Sequence, residues 1–208
     1  MSELNFTHSN GNKVKLTTPD TLAANKTFKL PGTDGTSGQS LVTDGSGALS
    51  FATQGVAMAQ QWRLRVITTV SSSYVTLADW EICDSLGSSS GFGGSMSLSG
   101  GVWTFPSTGI YHLNCQAGFQ DSSNNQNFLT LAYNITTNNA SYTRVTESYG
   151  SLRAPGYENI SAQYLLDVTD TSNVKFKITG QDQHGSGRVF GSTTLNYTTL
   201  TIMKVAET

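Results

Sequence analysis

From Leu30 to Leu41 the chain passes through ten residues with no large apolar side chain, punctuated by Gly32, Gly35 and Gly38. This gap constrains the fold most, because buried apolar surface is what offsets the entropy of ordering a chain. Its flanks are thin as well. In "NKVKLTTP", Val14 and Leu16 alternate with Lys13 and Lys15, and "KTFKLP" repeats the pattern with Phe28 and Leu30 about Lys29. Both read as short strands closed by proline. "SLVTDGSGALSFA" reads as a hairpin, with Leu41 and Val42 before an Asp-Gly turn and Leu49 and Phe51 after it. Together with Leu22, these side chains supply about two apolar groups per strand, too few for a core of their own. Residues 1–58 are therefore expected to form an extended β anchor or shaft, stabilised by sister chains or by a docking surface. The alternative is a Gly/Ser-rich linker.

Composition narrows the partners. Charged residues make up 12 % of the 208, about half the usual ~25 %. Ser, Thr, Asn, Gln and Gly replace them, which makes a neutral surface of hydroxyls and amides. The net charge is −2, and no basic cluster of the kind nucleic acid requires is present. No apolar run approaches the ~18 residues of a membrane span, so neither nucleic acid nor membrane insertion is expected. "MSELNFTHSNGNK" has neither the basic nor the apolar region of a secretory signal. Cys83 and Cys115 form no CxxC and no zinc-spaced cluster with His. No metal or other cofactor is expected. Both cysteines lie in strand-like runs, where a disulfide and two buried thiols are both open.

From residue 59 the texture changes to strands at sheet spacing. These are "WRLRVITTV" (62–70), "YVTLADWEIC" (74–83), "GSMSLSGG" (94–101), "GVWTFPSTGIYHLNCQAGFQ" (101–120, two strands), "NFLTLAYNI" (127–135), "SYTRVTESY" (141–149), "NISAQYLLDV" (159–168), "NVKFKITGQ" (173–181) and "TTLNYTTLTIMKV" (193–205). About ten strands with Gly/Asn/Ser turns and no convincing helix predict an all-β sandwich or barrel over 59–208.

Two resemblances add to this reading. Residues 13–52 resemble a segment of structural proteins of tailed bacteriophages, where such patterns recur in fibres and particle appendages. "FPSTGIY" resembles the signature of the complement-q globular head and its tumour-necrosis-factor-like relatives, with Phe105, Pro106, Gly109 and Tyr111 filling it. "AQYLLDVTDTSNVKFKI" fits the same family at Leu165, Asp170 and Val174, with Thr169 in place of the usual glycine. The second resemblance covers about residues 60–205. It implies a jelly roll that packs one face against two copies of itself around a threefold axis. Phe119, Tyr133, Tyr149, Tyr164 and Phe176 are the candidates for that face, and each is equally suited to the interior of the sandwich.

Chemistry is sparse. A glycosidase needs two opposed carboxylates. Asp79, Glu81 and Asp84 cluster, but the first two share strand parity and are expected to face solvent. No GxSxG elbow accompanies His112 or His184. The ligand-contact candidates are Phe92, alone in the loop "DSLGSSSGFGGS", and Asp182 with His184 in "QDQHGSGR". An aromatic and amide-rich loops suit a glycan better than a charged ligand. The expectation is a non-enzymatic, homotrimeric phage appendage on the virion surface. It is held to capsid or tail proteins by residues 1–58, with a host surface glycan as a candidate ligand. The rivals are a carbohydrate-binding adhesin and a polysaccharide-cleaving tail spike.

Overall fold

A computed structural model describes residues 3–17, 21, 23–53, 55–84, 87 and 89–208. Leu22 and the side chains of Val14 and Leu16 lie outside what is described. Backbone packing divides the chain into two units, Met1–Gln54 and Gly55–Thr208. No helix occurs among the described residues.

The first unit is two antiparallel hairpins. Strand β1 (Glu3–Thr7) pairs with β2 (Lys13–Thr17), and β3 (Gln39–Thr43) pairs with β4 (Leu49–Thr53). The Asp-Gly turn of the second hairpin is built around Asp44. Its carboxylate accepts the Ser46 and Ala48 backbone N–H at 2.8 and 3.0 Å. Those bonds hold Asp44 below its usual carboxylate range, led by the Ser46 hydroxyl. The expected strand "KTFKLP" reduces to a single bridge of Lys29 to Ala48, because Pro31 ends it before a ladder develops. The glycine spacing has a local cause at Gly35, where a Cβ would lie 2.6 Å from the Phe51 ring. No side chain described in this unit is buried.

The second unit is a sandwich. In chain order its strands are β5 (Met58–Leu64), β6 (Thr68–Thr69), β7 (Val75–Thr76), β8 (Trp80–Ile82), β9 (Ser97–Ser99), β10 (Val102–Thr104), β11 (Gly109–Asp121), β12 (Gln126–Thr136), β13 (Thr143–Leu152), β14 (Gly156–Val168), β15 (Lys175–Asp182), β16 (Arg188–Val189) and β17 (Thr199–Ala206). One sheet runs β13-β12-β15-β10-β9 with β7 beside β15. The other runs β6-β16-β11-β17-β5-β8 with β14 on the free side of β11. The count exceeds ten because β6, β7 and β16 are two residues long, too short to show any period. The expected strand 62–70 breaks after Leu64, where the Arg65 N–H turns to the Asp79 carbonyl at 2.8 Å. The expected strand 193–205 begins only at Thr199.

Period-2 burial builds the core. On β11 Tyr111, Leu113, Cys115, Ala117 and Phe119 all face inward at 0 % exposure. Trp103 sits at the centre, with Trp62 edge-on at 4.7 Å and Phe176 stacked at 5.7 Å. Phe105, Gly109 and Tyr111 form the corner into β11. Tyr111 packs its ring 4.6 Å from Phe105 and donates its hydroxyl to the Ser107 carbonyl at 3.0 Å. Gly109 has φ +140°, and a Cβ there would lie 2.8 Å from the Ala206 carbonyl. Pro106 is exposed on the outside of the bend.

Candidate functional site

Three of the five proposed interface aromatics are consumed by the core. Phe119, Tyr133 and Phe176 have 0 % exposure and offer nothing to a second chain. Phe119 shares the parity of Tyr111, which already settles its direction. Tyr164 leans on the same core. Tyr149 is 66 % exposed, but it stands on β13 in the opposite sheet. The five do not form one surface.

The outer face of the seven-stranded sheet is what the molecule leaves uncovered. Register aligns its side chains in rows across β5, β17, β11 and β14. One row is Gln61, Thr201, Asn114 and Gln163, and the next toward the chain's point of arrival is Ala59, Met203, His112 and Leu165. On the other side of the amide row stand Thr199, Gln116 and Ser161. These seven amide and hydroxyl side chains, with Ala162, line a concavity of about 330 Å³. None of the side chains in the amide row Gln61, Thr201, Asn114 and Gln163 is ionisable. Arg63 shares the parity of Gln61, but it is folded down and 1 % exposed, held by Glu81 at 2.8 Å, by Asp84 and by the Thr193 carbonyl. Burial alone would lower its pKa, and the two carboxylates reverse that, so it stays charged.

Farther along the same face three aromatic rings meet. Tyr157 stacks on Phe190 at 5.8 Å, and Phe190 tilts against Tyr197 at 5.6 Å. Tyr157 is 73 % exposed and Tyr197 48 %. With Gly118, Phe119, Glu158 and Asn159 they line a concavity of about 470 Å³. Gly118 is its floor, since a Cβ there would meet the Tyr197 carbonyl at 3.4 Å and the Phe190 ring at 3.8 Å. Sequence reading missed this cluster. The parity of β14 was a usable signal, because Ile160, Ala162 and Leu166 face inward and so put Tyr157, Asn159 and Leu165 outside. Phe190 and Tyr197 lie in a loop, where no period exists.

The loop ligand candidates fare differently. Asp182 is 0 % exposed. Its carboxylate accepts the backbone N–H groups of Gly185, Ser186 and Gly187 at 2.8, 2.9 and 2.6 Å, so in the folded chain it shapes the loop that follows it. Asp121 does the same for the facing loop, through Ser123 N–H at 2.7 Å, Asn124 N–H at 3.0 Å, and the Gln126 amide and Ser186 hydroxyl, each at 2.5 Å. Burial would raise the Asp121 pKa, but these bonds, led by Ser186, hold it well below the usual range. His184 is exposed at the tip. Phe92 is 55 % exposed, yet its backbone is fixed to Ala59 by bonds of 3.0 and 3.2 Å. Its backbone is thus bridged to β5, and its side chain is exposed.

Three further carboxylates are tied into the fold. Asp79 pairs with Arg65 at 2.9 Å, Glu147 with Arg144 at 3.3 Å and with the Tyr74 hydroxyl, and Asp170 caps the β14–β15 turn through Ser172 N–H at 2.7 Å. Cys83 and Cys115 are free and buried. Cys115 is level with Leu200, Leu200 with Trp62, and Trp62 with Ile82. Three ladder steps put the two cysteines about 14 Å apart, beyond the ~7 Å reach of a disulfide.

Comparison with solved structures identifies this architecture. The head has the tumour-necrosis-factor-like jelly-roll fold. A crystal structure of murine APRIL matches with a TM-score of 0.54 at 14 % identity, over 71 % of this chain and 98 % of its own. Eiger TNF from S. frugiperda matches with a TM-score of 0.53 at 11 % identity, over 74 % of this chain and 96 % of its own. No protein-family model and no curated protein sequence matches the chain.

Proposed function

We propose that this protein is a non-enzymatic, homotrimeric appendage of a bacteriophage particle. Residues 1–58 anchor it to capsid or tail proteins, and the jelly-roll head is displayed at the virion surface to stabilise the particle or attach it to a host. The observation that carries this reading is the uncovered state of the first unit. Leu30, Phe28 and Leu41 are 78, 64 and 52 % exposed, and a segment that buries so little is stabilised by what it lies against. The resemblance of residues 13–52 to phage structural proteins supports the particle as that surface.

The head supplies the argument for self-association. Around a symmetry axis every side chain meets its own copies. Charged groups would meet like charges there, whereas Asn, Gln, Ser and Thr both donate and accept and can bond their own kind. The row Gln61, Thr201, Asn114 and Gln163 has that composition, and Leu165 and Met203 give it an apolar margin. The particle reading is tested by electron microscopy of virions made with and without this gene product. Loss of a surface projection supports the reading, and unchanged particles overturn it. The assembly reading is tested by native mass measurement of the full chain. Three copies of 22.2 kDa give about 67 kDa, and a stable monomer contradicts the trimer.

A further inference from the structure

We propose that the outer face of the six-stranded sheet binds a carboxylated polysaccharide along a strip of positioned cations, Arg144, Lys177 and Lys175. The core-facing side of β12 is Leu129, Leu131, Tyr133 and Ile135, which turns Asn134 outward. Register sets Arg144 of β13 on one side of Asn134 and Lys177 of β15 on the other. Two strand spacings, about 10 Å, separate these two cations. Lys175 lies on the same side of β15 as Lys177, because Phe176 between them is buried, and it is about 7 Å farther along the strand. From residue 59 onward the chain carries ten carboxylates and eight cations. Among the described residues, only Glu147 pairs with a cation of this strip, at 3.3 Å from Arg144. The strip is therefore a positive patch on a head of net negative charge.

Two of the cations are held in place. The Arg144 guanidinium lies over the Tyr74 ring at 4.2 Å, and the Lys177 ammonium over the Tyr142 ring at 4.6 Å. Tyr74 is itself fixed by its hydroxyl, which donates to Glu147. A cation seated on a ring face is already ordered when a ligand arrives, so binding spends less on ordering it. A second copy of this chain is a poor occupant. Copies joined through the amide row leave the opposite sheet facing outward, and a two-fold pairing through the strip would set cations against cations. A protein partner would meet charge at the centre of the contact, where protein interfaces are depleted of it. Asn134 and Thr104 flank the cations with an amide and a hydroxyl, and Tyr149, on the same face of β13 and 66 % exposed, adds a ring for the C–H face of a sugar. A hydrated polymer with carboxylates along its length matches all three groups. The inference rests on the host-attachment part of the function proposed above. Binding is measured on the isolated protein and the particle by microscopy, so each can fail without the other.

The test is fluorescence anisotropy of the full-length chain with a labelled oligogalacturonate in low-salt buffer. A neutral maltooligosaccharide of the same length and an oligothymidylate are the comparison probes. Binding of the oligogalacturonate and none of the maltooligosaccharide is expected, and a tenfold rise in salt should weaken it about tenfold or more. The double variant Lys175→Gln/Lys177→Gln should also weaken it about tenfold or more. Lys26→Gln/Arg153→Gln removes the same charge from exposed positions outside the strip and should stay within about threefold of wild type. None of these four side chains is buried, so the variants leave the core intact. No binding of oligogalacturonate at low salt overturns the proposal, as does binding that survives Lys175→Gln/Lys177→Gln. Equal losses in the two double variants would trace the effect to net charge and overturn it. Tighter binding of oligothymidylate than of oligogalacturonate would assign the strip to nucleic acid and overturn it too.

Discussion

Asp121 illustrates how a single side chain serves this protein. Four hydrogen bonds converge on its carboxylate, and it is 1 % exposed. Its folded pKa lies below the unfolded value, so its contribution is present above the ordinary carboxylate pKa of ~3.9 and fades as pH falls below it. Asp121→Asn should therefore cost about 1–3 kcal/mol at neutral pH. The gap between wild type and variant in thermal melts should close progressively below about pH 4. A gap that stays constant down to pH 2 (roughly two units below that pKa) would contradict the assignment. Tyr111 makes a smaller and cleaner case. Its hydroxyl donates to the Ser107 carbonyl at 3.0 Å, so Tyr111→Phe should lower denaturant stability by about 1 kcal/mol without altering the fold.

Between strands, burial decides which ion pairs matter. Arg63 ties β5 to Glu81 on β8 and to the loop before β17, and it is 1 % exposed. Removing it leaves the Thr193 carbonyl and the partly covered Glu81 without this donor, while Asp84, 77 % exposed, is taken up by water, so Arg63→Ala should cost about 1–3 kcal/mol. Arg65 holds Asp79 through an exposed pair at 2.9 Å, and Arg65→Ala should cost under about 1 kcal/mol. Equal losses in urea unfolding would contradict this ranking. The cysteines follow from the same register. Two intervening strands separate them, and burial raises both thiol pKa values. Thermal melts with and without reductant should coincide, and both thiols should react with a chromogenic disulfide reagent only after denaturation.

At the scale of the whole molecule, the proposed trimer depends on the absence of charge from the row Gln61, Thr201, Asn114 and Gln163. Introducing one tests it. Asn114→Asp would place like charges together at the axis of the proposed trimer, and Asn114 is exposed in the single chain. The expected result is a fall in native mass from about 67 kDa toward the 22.2 kDa monomer, with circular dichroism unchanged. An unchanged mass would place the axis elsewhere. Much of this architecture was readable in advance. Alternation on β11, β14 and β15 announced the sandwich, since each of these strands faces core mainly on one side and a two-residue period follows from the pleat. Phe105, Pro106, Gly109 and Tyr111 announced the corner, because its turn chemistry is local. The same local logic made the Asp-Gly hairpin of β3 and β4 visible, and the poverty of apolar groups in the first unit is a property of composition alone. What waited for the folded molecule were meetings between distant segments. Phe119, Tyr133 and Phe176 could have faced a partner or a core until sheet packing enclosed them. Asp182 sat in a loop that looked open until its three backbone donors closed on it. Tyr157, Phe190 and Tyr197 belong to one trough only because β14 and the loop before β17 both come to rest against Gly118. Strand parity is written in neighbouring residues, but which strands become neighbours is settled by the total burial and hydrogen bonding of the whole sandwich.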